Sequence, residues 1–206
     1  MLALALLIVG GAAALLWWEL QATEAALRLP GLSAPVEIDL DPHGIPRIRA
    51  ANENDAAAAL GLLHARDRMF QMDTMRRAVS GRLSELVGPA SLRLDRTVRT
   101  LGLARRAEAD LAALPPDTRA LLDSYAAGVN GWIAARGRLA APEFVLLGAP
   151  EPWTARDSLL WAKLMGTWLS GNWQTELQRA RLLQTLPPDR VAKLWPIESG
   201  PPLVEA

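Results

Sequence analysis

The chain has 206 residues, half of them hydrophobic and a fifth charged, which is enough to bury a core and too apolar for compositional disorder. Its 22 Lys and Arg balance 22 Asp and Glu, so the basic excess of a nucleic-acid binder is missing. There is no cysteine and there are two histidines, His43 and His64, which excludes disulfides, thiolate metal centres, thiol nucleophiles and a His-rich metal site.

Residues 1–18, MLALALLIVGGAAALLWW, carry no charged side chain. As a helix they would reach about 27 Å, close to the ~30 Å hydrocarbon core of a bilayer. Trp17 and Trp18 would stand at its interface. An uncleaved membrane anchor is the favoured reading, because no Lys or Arg precedes Arg28 to form the basic region of a signal peptide. A cleaved signal segment and a soluble helix are the alternatives. Anchor and signal both imply export, with the folded part on the periplasmic side of the membrane. Residues 19–35 read as a tether, broken at Pro30-Gly31 and Pro35.

Val36, Ile38 and Leu40 alternate with Glu37, Asp39 and Asp41, the period of a strand with one buried face. Asp41-Pro42-His43-Gly44 supplies the turn. Residues 45–50 return as a second strand, which Pro46 confines to an edge or a strand start. From Asn52 the period becomes helical. Asn52 or Asn54 caps a helix running to about Arg77, with Glu53 and Asp55 in its first turn. Ser80-Gly81 interrupts it, residues 82–87 resume briefly, and Gly88-Pro89 stops them. A second helix is expected from about Thr97 to Ala113. A third runs from about Asp117 to Arg136, with Leu122, Tyr125, Val129, Trp132 and Ile133 on one stripe and Gly137 beyond its end.

Residues 142–153 hold three prolines and read as a loop. Thr154 and Asp157 form a capping box for a helix carrying Leu160, Trp161, Leu164, Met165 and Trp168. Ser170-Gly171-Asn172 breaks it, and a last helix spans about Gln174 to Leu186. Residues 36–195 therefore form one domain of a hairpin and about five helices, followed by an irregular tail at 196–206. A lone hairpin is marginal in water, so its edges point to a sheet completed from elsewhere.

Four side chains on the first helix, His64, Asp67, Arg68 and Gln71, recur at i, i+3, i+4 and i+7 and share a face. Such a polar stripe, whose polar content Arg76, Arg77, Arg82 and Glu85 continue, fits a structural ion-pair network better than catalytic groups or simple solvation. Trp161, Met165, Trp168, Leu169 and Trp173 read first as core, and otherwise as one wall of an apolar ligand pocket. Glu176 reads as an acid suited to a helix start. None of the eight serines has the flanking glycines of a nucleophile elbow. The residues alone describe a mostly helical, exported domain without a complete active site.

The motifs in order add a resemblance. Asp41-x-x-Gly44-Ile45-Pro46-x-Ile48, Asn54-Asp55, Gly61 and His64-Ala65-x-Asp67-Arg68-x-Phe70-Gln71-Met72 come first. Arg76-Arg77, Gly81-Arg82-Leu83-x-Glu85-x-x-Gly88, Tyr125-Ala126-x-Gly128-Val129-Asn130 and Pro152-Trp153 follow. Over roughly residues 36–186 the series resembles the N-terminal α chain of the penicillin acylase (penicillin amidase) family. The resemblance implies the α-chain part of a four-layer αββα N-terminal nucleophile hydrolase, an α+β fold to which this chain gives mostly helices and one N-terminal hairpin. Family members are precursors that cut themselves into α and β chains. The new N-terminal serine of the β chain attacks an amide carbonyl, with its own α-amine as base. The products are a carboxylic acid and an amine.

By this resemblance the chain is the α subunit, or an N-terminal fragment, of an amide hydrolase of penicillin amidase or acyl-homoserine-lactone acylase type. No catalytic residue lies in it, and it is inactive without its partner β chain. Its ligand is a small acyl amide. Met165, Trp168 and Leu169 match the wall of the acyl pocket. Glu176 matches a glutamate that helps hold one structural calcium shared with the β chain; no organic cofactor is implied. The chain has no Gly-Ser dipeptide at which processing could occur. Arg47 and Arg66 stand where many members have His and Gln. The competing reading is a non-enzymatic, membrane-tethered helical binding module or a truncated acylase-like fragment, separable by what is encoded downstream.

Overall fold

The hairpin forms as the alternation requires. Strands β1 (Glu37–Leu40) and β2 (Pro46–Arg49) pair antiparallel, with Ile38 opposite Ile48 and Leu40 opposite Pro46. Asp41 closes the turn: its Oδ1 accepts from the N–H of His43 at 2.8 Å and of Ile45 at 2.9 Å. Gly44 takes φ 76°, a value that favours glycine. Ile38, Leu40 and Ile48 are only half-buried, so the apolar face of the sheet is partly uncovered. This is a computed structural model, which describes residues 26–195 together with Leu7, Gly10, Gly11 and Ala14.

Nine α-helices follow among the described residues: α1 (Glu53–Ser80), α2 (Ser84–Val87), α3 (Leu92–Leu101), α4 (Leu103–Ala113), α5 (Pro116–Arg136), α6 (Phe144–Leu147), α7 (Ala155–Leu169), α8 (Trp173–Leu182) and α9 (Pro188–Leu194). The chain is thus α+β, mostly helical with an N-terminal two-stranded sheet. Asn52 caps α1, its side chain accepting from the N–H of Asp55. Gly81 ends the helix at φ 69°, where its N–H and that of Arg82 reach back to Ala78 and Arg77 in a Schellman arrangement.

Three expectations change. The single helix at 97–113 starts earlier and is two helices, α3 and α4, because Gly102 turns left-handed at φ 68°. The loop at 142–153 contains the short α6, whose Phe144 is buried. The helix expected over 174–186 ends at Leu182, and a further short helix, α9, opens at Pro188, where none is expected.

Helices α1 and α5 cross with their backbones almost touching. A Cβ built on Gly61 would lie 2.1 Å from the carbonyl oxygen of Tyr125, and one on Gly128 would lie 1.8 Å from that of Ala58. Only hydrogen fits at either position. The close crossing buries Ala65, Met69, Ala126, Val129 and Trp132 in one cluster with Ala140, Phe144 and Trp153. A second cluster joins Val79 of α1, Ala107 of α4 and Leu160 of α7. Ion pairs of Arg156 with Glu108 and of Lys163 with Asp110 flank it.

Ahead of the hairpin, in the stretch read as a tether, Ser33 bonds Asp55 through both its N–H and its hydroxyl. These bonds hold the Asp55 carboxyl below its ordinary value. Leu29 lies against Gly131 of α5.

Among the described residues no helix is long and apolar enough to cross a membrane. This corrects the expected anchoring through residues 1–18 and the periplasmic placement built on it. A span needs about 20 consecutive apolar residues in one helix, whereas the long helices α1 and α5 carry charges along their length. Most of residues 1–18, and all of the 196–206 tail, lie outside the described residues.

The crossing makes a paired prediction. Gly128→Ala should cost ~3 kcal/mol or more, because the methyl overlaps a backbone oxygen that cannot give way. Gly166→Ala, where a Cβ meets nothing within 4 Å, should stabilise by about 0.5–1 kcal/mol through the unfolded state. Thermal melts of both variants against the parent check this, and equal melting temperatures for the two would contradict it.

Candidate functional site

Helices α1, α5 and α7 leave a cavity of about 510 Å³ between them. Its wall is largely apolar: Leu60 and Met72 from α1, Leu121 and Leu122 from α5, and Trp153 and Trp161 from the α7 side. Polar groups enter at few points, namely His64, Arg68 and Gln71 from α1, Tyr125 from α5 and Ser158 from α7. Apolar walls with a few placed polar groups are the usual make-up of a recognition site.

Three members of the polar stripe on α1, His64, Arg68 and Gln71, therefore face the cavity, but the stripe's members do not bond to one another. His64 Nδ1 lies 2.9 Å from the Tyr125 hydroxyl, the rings meeting edge to face. Burial pushes the Tyr125 phenol up to about 12, so its hydroxyl stays protonated and can donate to that nitrogen. Asp67 turns away to Arg66, 2.8 Å from its Nε. Arg68 and Gln71 are exposed at the rim. The helix bends at Arg68, whose φ of −142° and ψ of 22° leave the helical region.

The buried ionic network sits further along the same helix, at Arg76 and Arg77, which continue the stripe, and at Asp73, which the sequence reading did not single out. Asp73 is fully buried and accepts from Arg76 Nε at 2.8 Å and Arg77 Nε at 2.9 Å. Arg76 then reaches out of its helix, its Nη1 to the Pro152 carbonyl at 2.9 Å and its Nη2 to the Glu151 carbonyl at 2.7 Å. Its guanidinium lies 5.2 Å from the centre of the Trp153 ring. The adjacent Arg76-Arg77 pair, with Asp73 one turn before it, was the available signal. Only the fold brings residues 151–157 to it.

This network places Trp153 in the cavity wall. Asn130 of α5 grips the Trp153 backbone on both sides, donating to its carbonyl at 2.8 Å and accepting from its N–H at 2.7 Å. The Trp153 indole donates to Ser158 Oγ at 3.1 Å. One residue on, Thr154 and Asp157 form the expected capping box, and Asp157 also faces Arg76.

The proposed acyl-pocket residues stand apart from this cavity. Met165 is half-buried, while Trp168 is 59% and Leu169 80% exposed. They continue the α7 face beyond Trp161. Glu176 is exposed in the first turn of α8, with Arg179 Nη1 3.5 Å away. No group of three or more His, Cys, Asp or Glu able to hold a metal occurs among the described residues. Glu176 alone does not make a calcium site, which takes six to eight oxygens.

The sequence matches the family model described as penicillin amidase over residues 35–202. It is 41% identical to the penicillin acylase 2 proenzyme of Pseudomonas sp. (strain SE83), over 72% of this chain and 19% of that protein. It is 34% identical to acyl-homoserine lactone acylase QuiP of Pseudomonas aeruginosa, over 86% and 21%. The fold is similar to a solved chain of the thermostable penicillin G acylase from Alcaligenes faecalis. The TM-score is 0.65 at 28% identity, covering 84% of this chain and 97% of that one. The chain spans about a fifth of the length of the curated relatives it matches.

The outer part of the ionic network sets an acid limit. Hydrogen bonds from Arg82 hold the carboxyls of Glu85 and Glu151 below their ordinary value of 4.5. A carboxylate depressed in the folded state contributes stability above the unfolded value, and loses it as pH falls through the lower folded value. Stability should therefore hold from neutrality to about pH 5 and decline below about 4.5. Arg82→Ala should flatten that decline. Thermal melts across this range test it, and an unchanged acid slope in Arg82→Ala would contradict it.

Proposed function

The chain belongs to the penicillin amidase family, and on that premise we propose that it is the α-subunit region of an amide hydrolase that splits an acyl amide into a carboxylic acid and an amine. One observation carries this reading. The match covers about a fifth of the proenzyme relative, yet it covers 97% of a solved penicillin G acylase chain. The same region thus corresponds to nearly a whole chain in that enzyme and to a minor part of a precursor.

On this reading the nucleophile comes from a second chain of the same precursor, as its N-terminal serine, and this chain contributes walls and supports. The polar groups present suit that division. His64 is committed to Tyr125 and Ser158 accepts from the Trp153 indole, so neither forms a nucleophile with its base. His64, Asp67, Arg68 and Gln71 then take supporting positions, His64 on Tyr125 and Asp67 on Arg66, rather than act on substrate. Met165, Trp168 and Leu169 stand on an exposed apolar face, where they can wall an acyl group once the second chain closes over them. The named relatives act as acylases of penicillin or of acyl-homoserine lactones, and substrates of these two types are the ones to try.

Production of the complete precursor tests the reading. It should cleave itself into two chains and release acid and amine from penicillin G or from an N-acyl-homoserine lactone, while this chain alone releases neither. A single uncut polypeptide that hydrolyses no amide would overturn it.

Glu176 enters the same proposal as one ligand of a structural calcium completed by the second chain. Its pairing with Arg179 is long and exposed, so little opposes its turning to a cation. A shared hard cation would tie the two chains together. Glu176→Gln keeps the side chain's shape and removes its charge, and should lower the calcium content of the purified two-chain protein. Equal calcium in parent and variant, or none in the parent, would remove Glu176 from the role.

A further inference from the structure

The cavity between α1, α5 and α7 is left open by the described residues. We propose that it is the seat of a segment from the remainder of the precursor, and that this segment brings an Asp or Glu carboxylate to Arg68. The proposal rests on the two-chain reading above and deepens it by assigning the docking surface and the chemistry of what docks.

Three observations carry it. First, among the described residues Arg68 is the only permanently charged side chain in the wall, and no carboxylate of theirs pairs with it. The neighbouring carboxylate, Asp67, is taken by Arg66. A cation beside a largely apolar hollow is costly once covered, unless the covering group carries the opposite charge. Secondly, the apolar wall does not stop at the mouth. Trp161 is 41% exposed in the wall, Trp168 lies seven residues on along the same face of α7, and Trp173 follows at the start of α8. Seven residues of helix run about 10 Å, well beyond what a small ligand in the cavity would cover. An apolar strip of that kind, with tryptophan and arginine together, has the make-up of a protein interface centre. Thirdly, about four-fifths of the length of the relatives lies outside the matched region, so an occupant encoded by the same precursor is available.

The geometry also sets the depth of the contact. Bonding to Tyr125 keeps His64 within the wall, and the Trp153 ring is fixed by Asn130 and Arg76, so the floor is preformed. A docked segment would meet rigid aromatic surface below and the guanidinium at the rim. That arrangement lets apolar side chains supply affinity while the ion pair fixes orientation.

Photochemical capture in the complete protein tests the proposal. Trp161 is replaced by the photoreactive benzoylphenylalanine, an aromatic exchange at an exposed position, and the captured peptide is read by mass spectrometry. A second probe at Leu122 covers the case in which the first variant does not fold. A control probe at Leu146, 91% exposed and outside the wall, reports on random capture. The expected product joins the cavity to one segment downstream of this chain that contains Asp or Glu. Arg68→Glu should lower its yield about tenfold, the scale of replacing an attractive charge contact by a repulsive one, while Arg68→Lys should retain most of it. Capture confined to this chain's own peptides, a captured segment without an acid, or a yield indifferent to Arg68→Glu would each overturn the proposal. Capture does not depend on turnover. A protein that captures the acidic segment but cleaves no amide would therefore fail the functional reading alone, and one that cleaves amides but captures nothing would fail this proposal alone.

Discussion

The approach of α1 to α5 at Gly61 and Gly128 is the constraint from which the other positions follow. Two helices normally pack 8–10 Å apart, held off by their side chains. Here each helix offers a bare Cα to a carbonyl oxygen of the other, Gly61 to Tyr125 and Gly128 to Ala58. The contact leaves no freedom to slide, because any shift along either axis would drive a Cβ of a neighbouring residue into backbone. Val129 and Trp132 on one side, and Ala65 and Met69 on the other, are thereby buried in a fixed register. Tyr125, whose carbonyl sits over Gly61, is also the residue that bonds His64 in the cavity wall.

The rest of the chain is fastened to this pair by arginine. Arg76 spans from Asp73 in its own helix to two successive carbonyls, Glu151 and Pro152, just ahead of α7. A lysine presents its donors from one nitrogen and could not reach these separate acceptors; the planar fork can. Of the 22 basic residues 20 are arginine, and two of these, Arg76 and Arg77, are buried. The charges remain paired at low exposure, so their value lies in fixing where α7 starts, more than in net stability.

Much of this was legible in the sequence where the signal was local. The hairpin, the Asn52 cap, the Gly81 stop and the Thr154–Asp157 capping box each depend on residues within a few positions of one another, and each forms as read. The errors have physical causes. A lone glycine within a helical pattern is compatible with an unbroken helix, whereas Gly102 adopts φ 68° and splits it. Short α6 was hidden among three prolines that mark a loop. The ionic network was expected around Asp67 and Arg68 because a polar stripe looks alike whether it faces carboxylates or an open hollow. Its true partners, residues 151–157, lie more than 70 positions away and are set by tertiary packing alone. The cavity was invisible for the same reason, since its three walls come from three separate helices.

On the two-chain reading proposed above, this chain combines one exposed apolar face that the second chain covers with one self-sufficient core. The α1–α5 crossing and the Arg76 network are complete within it, whereas α8 has no buried residue and the Trp161–Trp168–Trp173 strip is exposed. Amide hydrogen exchange separates the two parts directly. It should be followed for residues 31–206 alone and for the same residues within the complete protein. Slow exchange in α1 and α5 in both samples, with α8 and the second half of α7 slowed only in the complete protein, is the predicted result. Equal protection of α8 in the two samples would contradict it.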